Sequence, residues 1–446
     1  IIFEEELHGR SLVSWNSLLT GYSQNGCDLE AVFLFQRMLR DVNPDSITIA
    51  NVIPACARLA DLQMIQLVHS IIIKKDLFVD MLRFQVFPDA ITMLMLFQSC
   101  GELGSVKQGT IIHGYCCSKG FDSHLTVGNA MMDMYIRCGC MKSSLLLFKS
   151  MSCKNIVTWN TMLSGYVKSG HSAMVLDLFH HLQCENQHRP DPVTMISVIQ
   201  VYASNSAKYG APMMHGLTLK LGHNSEINVC NSLIDAYAKN GLIDIAWSMF
   251  EQMGRSKDTS SWNVMLAGFG MNGHGEKSCS LFSMMEEEGY EPNSITFISL
   301  LSSCSHSGLI DEGCEYFKLM VTKYNVEPCL EHWTCIIDMF GRVGRLEEAY
   351  CLMKSGLPER DDIGNLSDCA AIWGALLSAC RVHVNVELGE LASQQLSRLA
   401  PHNSGYYTLL SNLYASGRRW EEAETMRRVF EDGKLIKEPG FSMAKL

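Results

Sequence analysis

The sequence has no long apolar run and no excess of positive charge. Residues 91–97 form the longest nearly apolar stretch, interrupted by Thr92, whereas a helix that crosses a bilayer needs ~20 apolar residues. Lysine and arginine total 36 against 47 acidic residues, which gives a formal net charge of −11. We therefore expect no membrane-spanning helix. A globally basic nucleic-acid-binding protein is excluded, although a local basic stripe is not.

Cysteine is too sparse for a disulfide scaffold. The 446 residues include 18 cysteines scattered along the chain, well below the ~8–10% of small disulfide-rich proteins. We predict free, mostly buried thiols in a reducing compartment. With 47% hydrophobic and 19% charged residues, the composition is globular. Since one core seldom grows past ~250–300 residues, we expect several domains or a repeat array.

The sequence begins without an initiator methionine, a signal-peptide pattern or an Arg/Ser-rich transit segment. Its first residues, from Ile1, are typical of the interior of an amphipathic helix. We expect either a fragment or a chain whose upstream part was removed, so the compartment cannot be inferred directly.

Self-similarity is the strongest positive signal. A Trp-Asn pair opens three similar segments at Trp15, Trp159 and Trp262, each continuing with apolar residues, a glycine and an aromatic residue. The last two copies are 103 residues apart, and segments at Asn129 and Asn231 resemble each other at a separation of 102. This period accommodates three units of ~35 residues, so we predict that three variants of one unit alternate.

Each unit has the pattern of two amphipathic helices. Trp159, Met162, Leu163 and Tyr166 fall at i, i+3, i+4 and i+7, which places them on one helix face, and Gly170 ends the pattern. A second helix with the same spacing follows, and Pro-Asp or Pro-Asn closes the unit. Because so small a hairpin cannot bury its apolar faces alone, neighbours must stack. The sequence predicts an all-α fold, a right-handed α-solenoid superhelix of helical-hairpin repeats with a concave inner face.

The repeat register breaks once. Trp15 and Trp159 are 144 residues apart, about two units short of two full periods. The shortfall falls at residues 80–89, where the end of one unit is joined directly to the end of another. We predict a deletion or a mis-joined segment there, with poor packing near residues 78–90.

The alternating units, with Val-Ser-Trp-Asn…Gly-Tyr and a closing Pro-Asp, resemble the PLS class of pentatricopeptide repeat proteins of land plants. The similarity covers nearly the whole chain, and its three-part alternation distinguishes it from generic tetratricopeptide repeats. Two later segments, 371–377 and 411–415, resemble the two E motifs that follow the array in the E subclass.

This resemblance implies a domain organisation. It gives a partial S-type repeat at 1–11, P and L repeats at 12–80, a truncated repeat junction at 81–89, further repeats in the order L, S, P, L, S, P, L, S at 90–360, an insertion at 361–368, E motifs at 369–436 and a truncated C-terminal tail at 437–446.

Repeats of this family read one base each on single-stranded RNA. The resemblance places the reading side chain on the first helix of the unit and a second polar group at the unit's end. Asparagine suits the first position because its amide both donates and accepts hydrogen bonds. The implied RNA-binding pairs are Asn16 with Asp45, Asn129 with Asn155, Asn160 with Asp191, Asn231 with Asp258, and Asn263 with Asn293; Thr334 occupies the same position without an assigned partner.

By the family's rule, Asn with Asp favours U, and Asn with Asn favours C or U, so we expect a pyrimidine-rich target. The L units carry Ala50, Leu94, Ile196 and Ile298 at this position. Because these side chains cannot hydrogen-bond a base, we expect the L units to set the distance between base-reading units and not to read a base themselves. For each asparagine the alternative is a helix N-cap or an Asx turn.

A basic cluster near the C-terminus allows two interpretations, phosphate contacts or a solvated helix face. Its members are Arg418, Arg419, Arg427, Arg428, Lys434 and Lys437.

Many PLS proteins end in a zinc deaminase domain, but its signature is absent here. That signature is His-x-Glu followed by Pro-Cys-x-x-Cys, because three ligands hold the zinc and the glutamate carries the proton. The His-x-Glu at His274 has no cysteine pair after it, and Pro328-Cys329 lacks the second cysteine. No Walker loop, nucleophile elbow or Rossmann fingerprint is present either. We expect neither an enzyme nor a metal or cofactor site.

The resemblance implies a sequence-specific single-stranded RNA-binding protein, a site-recognition factor for C-to-U editing of organellar transcripts. Its E motifs would recruit a deaminase-bearing protein or other editing factors in trans. The expected location is the mitochondrion, or alternatively the chloroplast. Three alternatives stay open: an RNA stability, cleavage or splicing factor, a protein-binding scaffold like a tetratricopeptide array, and a non-functional relic of the deletion. The repeated Asn and Asp residues favour RNA, because a peptide groove does not need them.

Overall fold

A computed structural model describes residues 11–25, 27–42, 88–185, 188–204, 210–356, 366–399 and 403–432, together with 44, 45, 47, 48, 51, 52 and 55. These residues contain 22 α-helices, two short 3₁₀ helices and no strand. The 3₁₀ helices are Phe121–Ser123 and Gly254–Ser256.

We number the α-helices in chain order. They are α1 (Leu12–Gln24), α2 (Asp28–Asp41), α3 (Ala90–Glu102), α4 (Val106–Ser118), α5 (Leu125–Arg137), α6 (Met141–Ser150), α7 (Ile156–Lys168), α8 (Ser172–Glu185), α9 (Pro192–Ser204), α10 (Gly210–Leu221), α11 (Ile227–Lys239), α12 (Ile243–Gln252), α13 (Thr259–Met271), α14 (Gly275–Glu287), α15 (Ser294–Ser307), α16 (Ile310–Thr322), α17 (Leu330–Arg342), α18 (Leu346–Gly356), α19 (Leu366–His383), α20 (Val386–Leu399), α21 (Ser404–Ser416) and α22 (Trp420–Asp432).

The helices pair into hairpins, and the hairpins stack through their first helices. The chain forms two compact units, 1–201 and 202–446. In the first unit, α3 packs on α5 and α5 on α7. In the second, α11, α13, α15, α17, α19 and α21 each pack on the next in this order, and each also contacts the helix that follows it in sequence. The prediction of an all-α solenoid of helical hairpins is confirmed.

The junction between successive hairpins is built by helix capping. The side chains of Asn155, Asp258 and Asn293 each accept a hydrogen bond from the amide three residues on, and the hydroxyl of that residue accepts one from the backbone N–H of the cap. This reciprocal capping box satisfies two backbone donors that the helix cannot pair internally. The residue that closes one unit therefore starts the first helix of the next.

Aromatic contacts bury the tryptophan of the Trp-Asn motif between units. Trp159 and Trp262 are fully buried, and each meets a phenylalanine of the preceding hairpin edge to face. The ring centroids of Phe148 and Trp159 are 5.0 Å apart, as are those of Phe250 and Trp262. Such pairs stabilise by ~0.5–1.5 kcal/mol beyond the area they bury, so the motif's tryptophan holds neighbouring units together.

The last two hairpins, α19–α20 and α21–α22, lie where the sequence predicts the E motifs, and we call them the E hairpins. They differ from the repeats at their tight turns. In the repeats a glycine takes the left-handed conformation between the two helices, as at Gly170 (φ 71°). In the E hairpins, Val384 (φ 56°) and Arg418 (φ 62°) take it instead. A β-branched residue there is sterically strained, so the turn after α19 is held by its surroundings.

Among the described residues, no helix is both long and apolar enough to cross a membrane.

Sixteen cysteine side chains are described and all are free, but only five are buried and four are exposed. The expectation that most thiols are buried is therefore wrong for this part of the chain, because many cysteines lie at hairpin turns and on outward faces.

The predicted irregularity near 78–90 lies outside the described residues except for 88–90, of which Ala90 begins α3. The insertion at 361–368 also lies outside them except for 366–368, which belong to α19. The segments 1–10 and 433–446 are likewise not described.

Candidate nucleic-acid interface

The candidate asparagines all occupy one position, the fifth residue of a first helix. Asn16, Asn160, Asn231 and Asn263 lie there in α1, α7, α11 and α13, and each is only 7–8% exposed. They are not N-caps, since the caps stand five residues earlier. The capping alternative applies instead to their partners at the unit ends.

In four of the five predicted pairs, the asparagine Nδ2 donates to its partner at the unit's end. The acceptor oxygens are Asp45 Oδ1 for Asn16 (3.0 Å), Asp191 Oδ1 and Oδ2 for Asn160 (2.9 and 3.0 Å), Asp258 Oδ1 for Asn231 (3.3 Å) and Asn293 Oδ1 for Asn263 (3.2 Å). We call these four pairs the asparagine ladder. The structure brings together residues 27 to 31 positions apart in sequence, as the repeat alignment predicted.

The side-chain carbonyl oxygens of the ladder asparagines differ in whether they accept a hydrogen bond. The Thr48 hydroxyl donates to Asn16 Oδ1 and the Thr194 hydroxyl to Asn160 Oδ1, each at 2.6 Å. By contrast, Asn231 Oδ1 and Asn263 Oδ1 are buried and have no partner in the described structure. A buried acceptor without a donor costs ~1–3 kcal/mol, so these two amides are held in place while one hydrogen-bonding atom stays unused.

Two of the ladder carboxylates, those of Asp45 and Asp258, remain ionised because hydrogen bonds outweigh burial. Burial by itself would raise the pKa of Asp45, but bonds from the Thr48 amide and hydroxyl and from Asn16 leave that pKa below its ordinary value. The pKa of Asp258 is lowered in the same way, since bonds from Ser261 and Asn231 overcome the effect of burial. At neutral pH the carboxylates of Asp45 and Asp258 are therefore charged acceptors that fix the orientation of their asparagine amides.

One predicted pair and the single threonine are arranged differently. No hydrogen bond joins Asn129 to Asn155, although both are described; Asn129 Oδ1 is buried without a partner, and Asn155 accepts from Thr158. Thr334 donates to the Leu330 carbonyl of its own helix at 2.8 Å. Neither position has the fixed amide of the ladder.

The L units carry half-buried aliphatic side chains at the fifth position, namely Leu94, Ile196 and Ile298. Ala50 lies outside the described residues. These positions offer no hydrogen bond to a base, in keeping with the expected spacing role.

A row of exposed aliphatic residues, which sequence reasoning missed, lies three residues before the fifth position. Its members and their exposed fractions are Val13 (73%), Ile47 (47%), Ile91 (53%), Val157 (53%), Val193 (50%) and Ile295 (59%). The signal was present in the sequence, because an aliphatic residue recurs in the L units and in two of the three P units, with Ser260 in the third, where the helical period predicts a solvent-facing position. S units carry polar residues there, such as Thr126 and Asn228.

The S units add a charged pair to the same face of the first helix. With 3.6 residues per turn, positions three before, four after and eight after the fifth residue lie within ~80° of it; we call this surface the first-helix stripe. In each S unit the last two positions form an ion pair. The pairs are Asp133–Arg137 (2.6 Å), Asp235–Lys239 (2.6 Å) and Asp338–Arg342 (2.7 Å). Each pair cancels its own charge, so the stripe is close to neutral in the first two S units, whereas the last S unit also carries the exposed Glu331 three residues before Thr334.

The basic cluster near the C-terminus is largely occupied by internal contacts. Arg419 pairs with Glu390 (2.9 Å) and Glu422 (2.8 Å), and Arg428 pairs with Glu424 (2.7 Å). Because Glu390 lies on α20, the Arg419 pair ties the two E hairpins together. Arg427 donates to the Ser411 hydroxyl at 3.2 Å, and Lys434 and Lys437 lie outside the described residues.

Metal chemistry finds no support in the part of the chain that is described. No group of three or more His, Cys, Asp or Glu side chains there is placed to hold a metal ion. His274 stands at the start of α14, where Glu276 belongs to the first turn.

Models of known protein families match the sequence in most of these hairpins. The family described as PPR repeat matches residues 13–41, 129–156, 229–257, 295–324 and 331–355, the PPR repeat family matches 154–204 and 257–306, and the E motif matches 383–445.

Relatives in Arabidopsis thaliana match almost the whole chain. Pentatricopeptide repeat-containing protein At4g33990 is 34% identical over 98% of this chain and 47% of its own length. The chloroplastic At3g57430 is 33% identical over 97% of this chain and 44% of its own length, and the mitochondrial At3g26782 is 33% identical over 99% and 60%. The chain thus spans about half the length of these relatives.

Among solved structures, the fold resembles that of the pentatricopeptide repeat protein PPR10, crystallised in complex with an 18-nt psaJ RNA element. The TM-score is 0.62 at 18% identity, over 95% of this chain and 60% of PPR10. Together with the alternating hairpins and the E motif, these matches show that the chain belongs to the pentatricopeptide repeat family, as a PLS-class member of the E subclass.

Proposed function

We propose that this chain binds single-stranded RNA sequence-specifically and reads pyrimidines with the asparagine ladder. The observation that carries the proposal is a carboxamide at one fixed helical position, held by the unit-closing residue at 2.9–3.3 Å. Each Nδ2 has two N–H bonds, and the ladder bond takes one of them, at Asn160 as a bifurcated bond shared by both oxygens of the Asp191 carboxylate. The second N–H is free to donate to a pyrimidine carbonyl oxygen.

The exposed aliphatic row supplies the complementary contact in this proposal. Val13 and Val157 lie three residues before Asn16 and Asn160, on the same helix face. An aliphatic side chain can cover the flat face of a base while the amide bonds its edge. Recognition of single-stranded RNA generally combines contact with the base face and hydrogen bonds to the base edge. The PPR10 structure contains an RNA element, which supports RNA as the ligand class for this fold.

The partner residue is proposed to set which pyrimidine is favoured. Asp45, Asp191 and Asp258 are acceptors only, whereas Asn293 offers both a donor and an acceptor. Under the family's rule the three Asp pairs favour U and the Asn263–Asn293 pair accepts C or U. The unpaired Asn129 and Thr334 are expected to discriminate less.

We infer that the RNA bound is organellar and that the chain serves as a site-recognition factor for C-to-U editing, with the deaminase supplied in trans. The E motif and the relatives named mitochondrial or chloroplastic support this inference. Sequencing organellar RNA from a knockout line tests it. Loss of editing at one or a few cytidines is expected. Unchanged editing with altered transcript abundance or splicing would instead favour the stability or splicing role.

RNA binding itself is tested by selecting ligands from a randomised RNA pool and measuring their affinities. Asn160→Ala is expected to weaken binding by ~1–3 kcal/mol, the cost of losing one base-edge contact. Asn224→Ala is the matched control, because Asn224 is exposed in the loop between α10 and α11. Failure to select any RNA would remove the proposal and favour a protein-binding scaffold. Equal affinities for both variants would show that Asn160 does not read a base.

A further inference from the structure

A groove runs over the C-terminal halves of the first helices around the E hairpins. Within the second compact unit, α15, α17 and α19 line a groove of about 610 Å³, and α19 and α21 line another of about 470 Å³. The two share Val382. We call them together the E-region groove, lined among others by Arg342, Ser378, Arg381, Val382, Asn412 and Ser416.

The E-region groove continues the first-helix stripe. In the last S unit its lining residues include Asp338 and Arg342, the ion pair of the stripe. The next two first helices contribute residues with the same spacing of four. They are Ser378 and Val382 on α19, and Asn412 and Ser416 on α21. A strand that follows the stripe along the repeats therefore meets the same helix positions in the E hairpins.

The chemistry changes at that point from an ion pair to neutral polar and apolar groups. Ser378 and Asn412 replace the aspartate, so the carboxylate that neutralises each S-unit cation is absent. Arg381 is exposed in the groove and forms no ion pair with any residue that the structure describes. Val382 is 61% exposed beside it. The unpaired cation of Arg381 suits a phosphate, and the apolar surface of Val382 suits the face of a base. The amide of Asn412 can hydrogen-bond the edge of a base.

We propose that the E-region groove binds nucleotides of the same RNA strand that lie beyond those read by the ladder, past the units of α15 and α17, with a phosphate against Arg381 and a base against Val382. This inference rests on the proposed RNA-binding function. Continuity with the stripe and the unpaired positive charge favour RNA over an extended polypeptide as the occupant. The groove would thus extend the RNA footprint beyond the repeats that carry asparagine.

The test is a truncation series on an RNA selected by the full 446-residue chain. The RNA is shortened one nucleotide at a time from either end, and affinities are measured for wild type, Arg381→Ala and Arg398→Ala. Arg398 is an exposed arginine on the second helix of the same hairpin, so it controls for loss of charge. Asn160→Ala serves as the ladder reference.

On the complete RNA, Arg381→Ala is expected to bind about five-fold more weakly than wild type, which is the smallest effect expected from losing the contact to one nucleotide. The slope of log affinity against log salt concentration, the salt slope, should become shallower by ~0.7. This deficit should vanish when nucleotides are removed from one end, whereas the Asn160→Ala deficit persists. Arg381→Lys should restore the salt slope, and Val382→Asp should reproduce the loss. Arg398→Ala should match wild type throughout.

Two results would overturn the inference while leaving the ladder intact. One is wild-type affinity of both Arg381→Ala and Val382→Asp for the complete RNA. The other is a deficit that is the same for every truncated RNA. If the wild-type chain selects no RNA at all, the proposed function itself fails, and the groove is then available to a protein partner.

Discussion

The amide nitrogen of Asn160 lies 2.9 and 3.0 Å from the two carboxylate oxygens of Asp191, 31 residues further along the chain. The same carboxylate accepts the Thr194 amide at 2.8 Å, one of the first-turn donors that α9 cannot pair internally. One side chain thus closes one repeat, begins the next and orients the candidate base-reading amide. Folding and recognition share this residue.

Replacing Asp191 separates these roles. Asp191→Asn should leave thermal stability nearly unchanged, because Asn155 and Asn293 cap equivalent helices. Asp191→Ala should destabilise by ~1 kcal/mol, since the cap is lost, and should also weaken RNA binding as Asn160 loses its anchor. Chemical denaturation and RNA titration measure both effects, with the exposed Asp177→Asn as control. Equal stabilities for the alanine and asparagine variants would contradict the capping role.

A second prediction concerns close helix packing in the second unit. A Cβ on Gly270 would lie 2.9 Å from the Ser303 Cα on the neighbouring first helix. Because backbone cannot move aside cheaply, Gly270→Ala should destabilise by ~1–3 kcal/mol. Gly114→Ala is the matched control, since that helical glycine has open space around it, and it should stabilise by up to ~1 kcal/mol. The midpoints of denaturant-induced unfolding measure both effects. Destabilisation by both variants to the same extent would argue against this packing.

Two equivalent histidine–tyrosine pairs predict a pH dependence of stability. His113 Nδ1 lies 2.9 Å from the Tyr135 hydroxyl and His215 Nδ1 lies 3.1 Å from that of Tyr237. Burial lowers the pKa of both histidines, opposed at His113 by Asp122. The unfolded chain therefore takes up protons first as pH falls below ~6.5, so the stability contributed by the neutral rings is present above that pH and is lost on acidification.

Denaturation at pH 7.5 and pH 5.0 measures this loss. The double variant His113→Asn with His215→Asn should show a smaller difference between the two pH values than wild type, because asparagine does not titrate. An unchanged difference would assign the pH dependence to other groups.

Ion pairs on the first-helix stripe predict how the chain limits binding to unrelated RNA. Removing the S-unit carboxylates, by Asp133→Asn, Asp235→Asn and Asp338→Asn together, releases three cations. Affinity for an unrelated single strand should rise, and the salt slope should steepen by ~0.7 for each phosphate newly contacted.

A second triple variant serves as the control for the change in net charge. Glu251→Gln, Glu287→Gln and Glu315→Gln remove three exposed carboxylates from second helices. If both triple variants change the salt slope equally, the location of the S-unit pairs has no special role.

The sequence predicts much of the fold because its apolar pattern has the helical period and recurs near 102 residues. Trp15, Trp159 and Trp262 all proved to be buried where that pattern places them. The ladder pairs also follow from the repeat alignment, since equivalent positions in stacked hairpins occupy equivalent places. The double role of Asp258 as cap and partner was not foreseen, because it depends on how one hairpin meets the next.

Other parts of the site needed coordinates. Aliphatic residues such as Val13 and Ile295 are ordinarily assigned to a core, so their exposure is not evident from composition. Whether Asn129 bonds Asn155 depends on side-chain placement that the alignment cannot distinguish from the other pairs. The E-region groove joins helices whose equivalent positions are 40 and 34 residues apart, as from Arg342 to Val382 and on to Ser416, and this uneven spacing hides their equivalence.

The most direct test of the account is a specificity change at two adjacent repeats. Asn231 with Asp258 and Asn263 with Asn293 belong to neighbouring hairpins. Selection from a randomised RNA pool, followed by sequencing, is carried out for wild type, Asp258→Asn and Asn293→Asp. We expect Asp258→Asn to admit C at one nucleotide position and Asn293→Asp to shift the adjacent position toward U. Identical selected sequences for all three proteins would show that these side chains do not read RNA.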